Sequence, residues 1–177
     1  MNELRKKQLY LDAFIDTNHP VERNERIEFK VSWLLTEVAE LANNDAWFKY
    51  CKKRDSLAYT RRYEEASDCL HLFMSLANEL GVEILEPKIR KYKSEKETDF
   101  TYTDLRYRSE CYKDTLNYIT CISTSNTVYK NSMFLLRAFD SYLSLATSMG
   151  LKWEFIKKAY VDKNIKNLKL HVRDRLK

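Results

Sequence analysis

Hydrophobic residues recur every three to four positions along most of this chain, which is the spacing of one face of an α-helix. This spacing predicts a last helix that begins near residue 152, preceded by helices over residues 2–17, 24–43, 57–80, 104–123 and 127–148. Gly81 and Gly150 follow two of these segments, at positions where glycine commonly ends a helix. We therefore predict an all-α bundle of five to six helices, with residues 1–177 forming a single domain.

Two internal segments and the C-terminal tail lack a clear helical pattern. Residues 47–54 combine aromatic and basic side chains, and we expect a short helix or an ordered loop there. Residues 87–103 are polar and highly charged, which indicates a mobile connection. The tail over residues 166–177 is basic and is expected to be helical or frayed.

Composition supports an all-α fold and limits the classes of function. The chain has only 2 Gly and 2 Pro, whereas hairpins and tight turns use both residues heavily. The net charge of +5 fits an anionic substrate, and a nucleic-acid partner is not expected. We expect Trp33, Trp47 and Trp153 to be packing residues rather than a surface for stacking bases, and Phe155 to face the core.

Cysteine usage and hydropathy indicate the compartment. The four cysteines form no CxxC spacing and only three histidines are present, so we do not expect a zinc site. The N-terminus has no apolar signal region, and no stretch approaches the roughly 20 apolar residues that span a bilayer. These patterns predict a cytoplasmic protein with free thiols and no membrane segment.

Two acidic pairs interrupt the apolar faces of two predicted helices: Glu37 with Glu40, and Glu65 with Asp68. Residues three apart share a helix face, so each helix presents two carboxylates beside apolar side chains. Removing carboxylates from water is costly without a positive partner, and these stripes carry no comparable cluster of Lys or Arg. We therefore predict a site for Mg²⁺ or Mn²⁺, which prefer oxygen ligands. The alternative is two solvated helix faces, the ordinary role of an ExxE spacing.

An antiparallel packing of the two acidic helices would bring the four carboxylates together. Such a metal site suits hydrolysis of a phosphoanhydride, which needs charge neutralisation and an activated water. Basic side chains that could bind phosphate are Lys49, Lys52, Lys53, Arg54 and Lys163. His71, one turn after Asp68, either supports the metal site or is a core histidine, and we favour the core role. Glu64 is expected on the solvent side.

The ordered set of segments resembles a known family. ExxE at residues 37–40, followed after 24 residues by ExxD at 65–68, resembles the metal motif of the all-α nucleoside triphosphate pyrophosphohydrolases. That superfamily includes the MazG-like enzymes and the dimeric dUTPases. Segments similar to the dimeric dUTPases specifically are QLYLDAFI at 8–15, EVAELANNDAWFKY at 37–50, EEASDCLHLFMSLANELG at 64–81 and MGLKWEFIKKAYVDKNIKN at 149–167.

The resemblance implies an all-α, homodimeric, Mg²⁺-dependent enzyme that hydrolyses dUTP to dUMP and pyrophosphate by attack at the α-phosphate. The implied metal ligands are Glu37, Glu40, Glu65 and Asp68. Of these, Glu37 or Glu40 also orients or deprotonates the attacking water, and Glu37 is favoured. The implied substrate contacts are Gln8, to the base or sugar, and Lys49, Lys163 and Asn167, to phosphates or nucleotide.

The chain departs from the family pattern in two places. In the family, KNxxN is usually followed by Arg-Gln and then Gly-Tyr, whereas here Leu170 and His171 take the first two positions and no Gly-Tyr follows. Cys51 replaces an aromatic residue after the FK-aromatic segment. In the family, that tail helps to close the site over the substrate. Another pyrimidine deoxynucleotide therefore remains an alternative substrate. A broader MazG-like activity and a catalytically weak helical binding module remain alternative functions. A di-iron centre is disfavoured because such a centre requires two ExxH pairs.

Overall fold

The computed structural model describes residues 1–49, 51, 58–87 and 102–174 of the chain. The six helices are α1 (Asn2–Asn18), α2 (Arg23–Asp45), α3 (Ala58–Leu80), α4 (Tyr102–Thr120), α5 (Val128–Ser148) and α6 (Trp153–Asp174). The described residues contain no strand. The all-α prediction is confirmed, and the predicted helix limits differ from the observed ones by three residues or fewer.

Two of the predicted irregular segments fall largely outside the described residues. The expected mobile connection at 87–103 includes the undescribed residues 88–101, and the segment at 47–54 includes residues 50 and 52–54. The candidate phosphate contacts Lys52, Lys53 and Arg54 therefore lie outside the described residues. Shortly before the undescribed residue 50, Ala46 ends α2 in the left-handed conformation, with φ 52° and ψ 30°. This turn leads into Trp47, which is buried and donates its indole N–H to Ser109 Oγ at 3.0 Å.

Local residue types explain where the other helices end. Gly81 and Gly150 both have positive φ, at 67° and 82°, which a residue without Cβ adopts at no steric cost. The N–H group of the residue after each glycine closes back onto the helix, as Val82 does onto the Ala77 carbonyl at 2.8 Å. At the start of α5, Thr127 accepts a hydrogen bond from the Lys130 N–H group at 3.3 Å.

Helix α3 lies at the centre of the bundle and contacts α1, α2, α5 and α6. Its face at Leu70, Phe73 and Leu76 is fully buried, and the Phe73 ring packs on Phe139 and Tyr142 of α5 at 5.3 and 5.2 Å. Helices α4 and α5 pack on each other, and α4 also contacts α2. The described part of the chain has no helix that is long and apolar enough to cross a membrane.

Two aromatic expectations were wrong. Phe155 is 52% exposed and lies edge-on against Tyr63 at 5.8 Å, while Trp33 is 58% exposed on α2. In α6 the buried face is formed by Trp153, Ile156 and Tyr160, and Phe155 points away from it because it is two residues after Trp153. Trp47 and Trp153 are buried, as predicted.

A buried ionic cluster joins the end of α2 to α3, α4 and α5. The Arg108 guanidinium is completely buried, donates to Asp45 and to the Ser148 carbonyl, and lies 3.2 Å from Ser148 Oγ. The second Asp45 oxygen lies 3.2 Å from the Arg62 guanidinium, which is nearly buried. One carboxylate thus serves two arginines from different helices.

A second ionic cluster fixes the direction of α2 against α3. Glu79, near the end of α3, contacts Arg26 at 2.5 Å and Lys30 at 2.8 Å, both near the start of α2. At the other ends of these helices, Asn44 donates to Glu65 at 2.9 Å. The start of one helix therefore faces the end of the other, which makes the pair antiparallel.

Replacing Glu79 by glutamine is expected to lower the free energy of unfolding by about 2 kcal/mol at neutral pH, because Arg26 and Lys30 both lose a nearly buried carboxylate partner. Burial alone raises the pKa of Glu79, but hydrogen bonds from Arg26 and Lys30 outweigh it and hold the pKa below 4.5. The carboxylate therefore stabilises the fold fully above that value, and its contribution is lost as the pH falls below it. Urea unfolding of both proteins at neutral pH and at about pH 3 should show the difference shrinking in acid. A difference that stays constant with pH would show that the ion pairs do not cause it.

Candidate metal and nucleotide site

Three of the four predicted metal ligands converge. Glu37 of α2 and Glu65 and Asp68 of α3 each offer a carboxylate oxygen within 4.8 Å of the others. The antiparallel packing of α2 on α3 produces this cluster, because the middle of α2 faces the first half of α3. Glu65 is buried, whereas Glu37 and Asp68 are half-buried.

Glu40 lies outside this cluster. Its side chain is exposed on α2, although its charge reaches Glu37 and raises the pKa of that residue. Glu64 is exposed, as predicted, and also lies outside the cluster.

The cluster is short of compensating charge. Burial raises the pKa of Glu37, and the charges of Asp68 and Glu40 raise it further, against a hydrogen bond of 2.6 Å from the Trp33 indole. Burial also raises the pKa of Asp68, although the Lys163 ammonium contacts this carboxylate. The predicted lack of nearby cations is therefore only partly right, since Lys163 of α6 contacts Asp68 and the exposed Arg61 of α3 lies 3.4 Å from Glu65.

A cavity of about 340 Å³ begins at Glu37 and Asp68 and runs between α1, α2, α3 and α6. This volume lies in the range of small-molecule sites. Three of the predicted substrate contacts line it, namely Gln8, Lys163 and Asn167. Lys49 is placed elsewhere: its ammonium contacts Asn43 Oδ1 and lies 5.7 Å from the Phe48 ring centroid.

The end of the cavity away from Glu37 is lined by a buried polar network. Gln8 Nε2 donates to Asp12 at 2.8 Å, and Ser75 Oγ donates to the other Asp12 oxygen at 2.9 Å. Gln8 Oε1 lies 2.7 Å from His71 Nδ1 and 3.0 Å from the Tyr160 hydroxyl. This cavity therefore reaches buried polar side chains inside the bundle.

His71 has the burial of a core residue, which is the role that the sequence analysis favoured. It is buried like a core residue and stacks on Tyr160 with ring centroids 4.0 Å apart, yet it also lines the cavity. Burial, followed by the nearby Lys163 charge, lowers the pKa of His71 to about 3, so the ring is neutral at physiological pH. Its Nε2 atom is buried and has no hydrogen-bond partner among the described residues.

Sequence reasoning missed two kinds of residue in this cavity. Trp33 was expected to pack, but it lines the cavity and donates to Glu37. Asp12 and Ser75 were not singled out, although the spacing of Gln8 and Asp12 contains a signal. These two polar residues are four apart and lie on the apolar stripe of α1, where a polar side chain needs a partner.

The fold and the three carboxylates that it brings together are consistent with one class, the MazG-like superfamily of all-α nucleoside triphosphate pyrophosphohydrolases. Within this class, the family model described as dUTPase matches residues 1–173. The chain therefore belongs to the all-α dUTPase family. No curated protein and no solved structure matches the chain. Family membership implies a hydrolase, with dUTP diphosphatase as the general kind of reaction.

Proposed function

We propose that this protein is a Mg²⁺-dependent dUTP diphosphatase that releases dUMP and pyrophosphate. The observation that carries the proposal is the cluster of Glu37, Glu65 and Asp68 at one end of a cavity of about 340 Å³, in a chain of the dUTPase family. The proposed unit is a single domain that works as a cytoplasmic homodimer. Its free thiols fit a reducing compartment, and the exposed Phe29 and Trp33 on α2 offer apolar surface to a second subunit.

The donor set fits a divalent ion. Three carboxylates lie close together, and burial has already removed part of the water that would otherwise screen them. A hard cation with oxygen ligands matches this set better than a soft metal, since the cluster contains no thiolate or imidazole. Glu37, Glu65 and Asp68 would hold the ion, and Glu40 would join them from the solvent side.

Glu37 is the residue that we place as the base for the attacking water. When bound, the ion supplies positive charge to the phosphate oxygens and lowers the pKa of water. In the metal-free protein, burial and the charges of Asp68 and Glu40 raise the pKa of Glu37, so its carboxylate is there a better proton acceptor than an ordinary glutamate. The Trp33 indole N–H fixes one oxygen of this carboxylate and leaves the other for the water.

Lys163 and Asn167 are the residues that we place against the phosphates and the sugar. They are four apart on α6 and therefore share a helix face, and both line the cavity. In the free protein Lys163 contacts Asp68, where a metal ion would otherwise supply the positive charge. Once Asp68 binds the ion, the Lys163 ammonium becomes available to a phosphate oxygen. Lys49, outside the cavity, is a candidate contact for the terminal phosphates.

The polar end of the cavity suits a uracil base. The His71 Nε2 atom is a buried acceptor without a partner among the described residues, and uracil carries a proton on N3. Cytosine has a lone pair at N3, which would face the lone pair of the imidazole. A site built around a hydrogen bond rejects a ligand that cannot form it far better than a site built on shape alone.

Pyrophosphate release from dUTP, dCTP, dTTP and UTP, each with Mg²⁺ and with EDTA, tests the proposal. We expect release from dUTP with Mg²⁺ only, and kcat/KM for dCTP at least about 100-fold lower. Discrimination among the deoxynucleotides by less than about tenfold would favour the broader MazG-like activity. No release from any nucleotide, together with salt-dependent binding to DNA, would favour the binding module instead.

A further inference from the structure

We propose that Asp12 is a positioning residue that sets which hydrogen bonds the base-facing end of the cavity offers, acting through Gln8 and His71. This inference rests on the proposed function, because it explains how the same site distinguishes uracil from cytosine. Asp12 itself is separated from His71 by the Gln8 side chain, and it touches neither the carboxylate cluster nor the proposed position of the base atom.

The first step concerns the orientation of the Gln8 amide. Burial raises the pKa of Asp12, while the Lys30 charge and hydrogen bonds from Gln8 and Ser75 favour its ionised form. In that form the carboxylate can only accept hydrogen bonds, so the amide must turn its NH₂ group toward Asp12. The distance of 2.8 Å from Gln8 Nε2 to Asp12 Oδ1 agrees with this orientation. The Ser75 hydroxyl holds the second Asp12 oxygen at 2.9 Å, which fixes the carboxylate from the side of α3. Gln8 Oε1 is thereby directed toward His71.

The second step concerns the proton on His71. Gln8 Oε1 can only accept, so at 2.7 Å the His71 Nδ1 atom must carry the proton of the neutral ring. The Tyr160 hydroxyl lies near both Gln8 Oε1 and the Leu4 carbonyl, and it can donate its single proton to the Leu4 carbonyl at 2.9 Å. Its presence does not change the requirement that His71 Nδ1 carries a proton. With Nδ1 protonated, Nε2 presents a lone pair. Stacking on Tyr160 holds the ring in this orientation.

We call this chain of hydrogen bonds from Asp12 through Gln8 to His71 the relay, and its direction can also be reversed. If Asp12 is replaced by a side chain that can donate, the Gln8 amide is free to turn over and present its NH₂ group to His71. The Nδ1 atom then accepts, and the proton of the neutral ring moves to Nε2. The cavity would offer a donor where it now offers an acceptor, which suits the N3 lone pair of cytosine rather than the N3 proton of uracil.

Histidine ¹⁵N NMR of the ligand-free protein tests the relay directly. The signals of His71 are assigned as those absent from His71→Gln, and they report which ring nitrogen carries the proton. Wild-type protein should show Nδ1 protonated, and Asp12→Asn should shift the population toward protonated Nε2. Glu3→Gln is the control on the same helix, because this exposed carboxylate does not line the cavity, whereas Asp16 lines it. If Asp12→Asn fails to fold, Asp12→Ser removes the obligatory acceptor with a smaller group.

Kinetics then test the consequence for specificity. The ratio of kcat/KM for dUTP to that for dCTP should fall by at least about tenfold in Asp12→Asn and stay unchanged in Glu3→Gln. An unchanged His71 tautomer in Asp12→Asn overturns the relay. A shifted tautomer with an unchanged ratio overturns the role in specificity. If wild-type protein releases no pyrophosphate from dUTP, the proposed function fails, while the NMR result still decides the relay.

Discussion

Replacing Glu37 by glutamine is expected to reduce pyrophosphate release from dUTP by at least about 10³-fold while leaving the fold intact. The variant removes one member of the carboxylate cluster and the proposed base for water in a single step. Glutamine keeps nearly the same shape, and its amide oxygen can still accept the hydrogen bond from the Trp33 indole. The loss should therefore appear in kcat and in Mg²⁺ binding rather than in the structure.

The direction in which Glu37→Gln changes the stability of the protein can be predicted. Since burial raises the pKa of Glu37, the ionised carboxylate is less favourable in the folded protein than in water. With EDTA present, the melting temperature of Glu37→Gln should equal or exceed that of wild type. Mg²⁺ should raise the melting temperature of wild type, because an ion that binds only the folded state stabilises it, and the variant should lose that increase.

Glu64→Gln is the matched control for the loss of a negative charge. Glu64 is exposed on α3 beside the cluster without belonging to it, so its replacement should leave turnover within about twofold of wild type. Glu40→Gln tests the exposed glutamate, and a large loss of turnover would place Glu40 among the metal ligands. Near wild-type turnover in Glu37→Gln would remove the basis of the proposed mechanism.

Replacing Asp45 by asparagine is expected to lower the free energy of unfolding by about 3–5 kcal/mol. Asp45 is buried and is the carboxylate between the guanidinium groups of Arg108 and Arg62. Without it, a completely buried arginine and a nearly buried one lose the carboxylate that they share. For a domain of this size, the melting temperature should fall by on the order of 10 °C.

Thermal and urea unfolding of Asp45→Asn measure this effect, and a second ion pair in α4 supplies the comparison. Arg106 and Glu110 form an exposed pair at 3.1 Å, so Glu110→Gln should cost less than about 0.5 kcal/mol. Both variants remove one carboxylate from an arginine of the same helix, and they differ in burial. Equal losses in the two variants would contradict the assignment of the Asp45 effect to desolvated charge.

The sequence was sufficient to predict the helices, because helical spacing is a local property. Apolar residues such as Leu34, Val38 and Leu41 recur on one face of α2, and glycines end α3 and the turn after α5. Spacing alone was less reliable at the edge of an apolar face. Trp33 is immediately before the buried Leu34 and yet points toward solvent and the cavity.

The parts of the site that escaped prediction depend on contacts between distant residues. The sequence placed Glu65 and Asp68 on one face of α3, but it contained no sign that Lys163 of α6 would contact Asp68. The same holds for Asp45 and Arg108, which are 63 residues apart. Such pairs are set by tertiary packing, and no local periodicity reports them.

The central position of α3 limits which substitutions this helix can tolerate. Successive positions of this one helix serve different neighbours: Glu65 belongs to the acidic cluster, His71 to the cavity wall and Phe73 to the core. A substitution that shifts the helix to repair one of these surfaces therefore disturbs the other two. Changes in α3 should show strong epistasis, with tolerated substitutions arising together with compensating ones in α2 or α6.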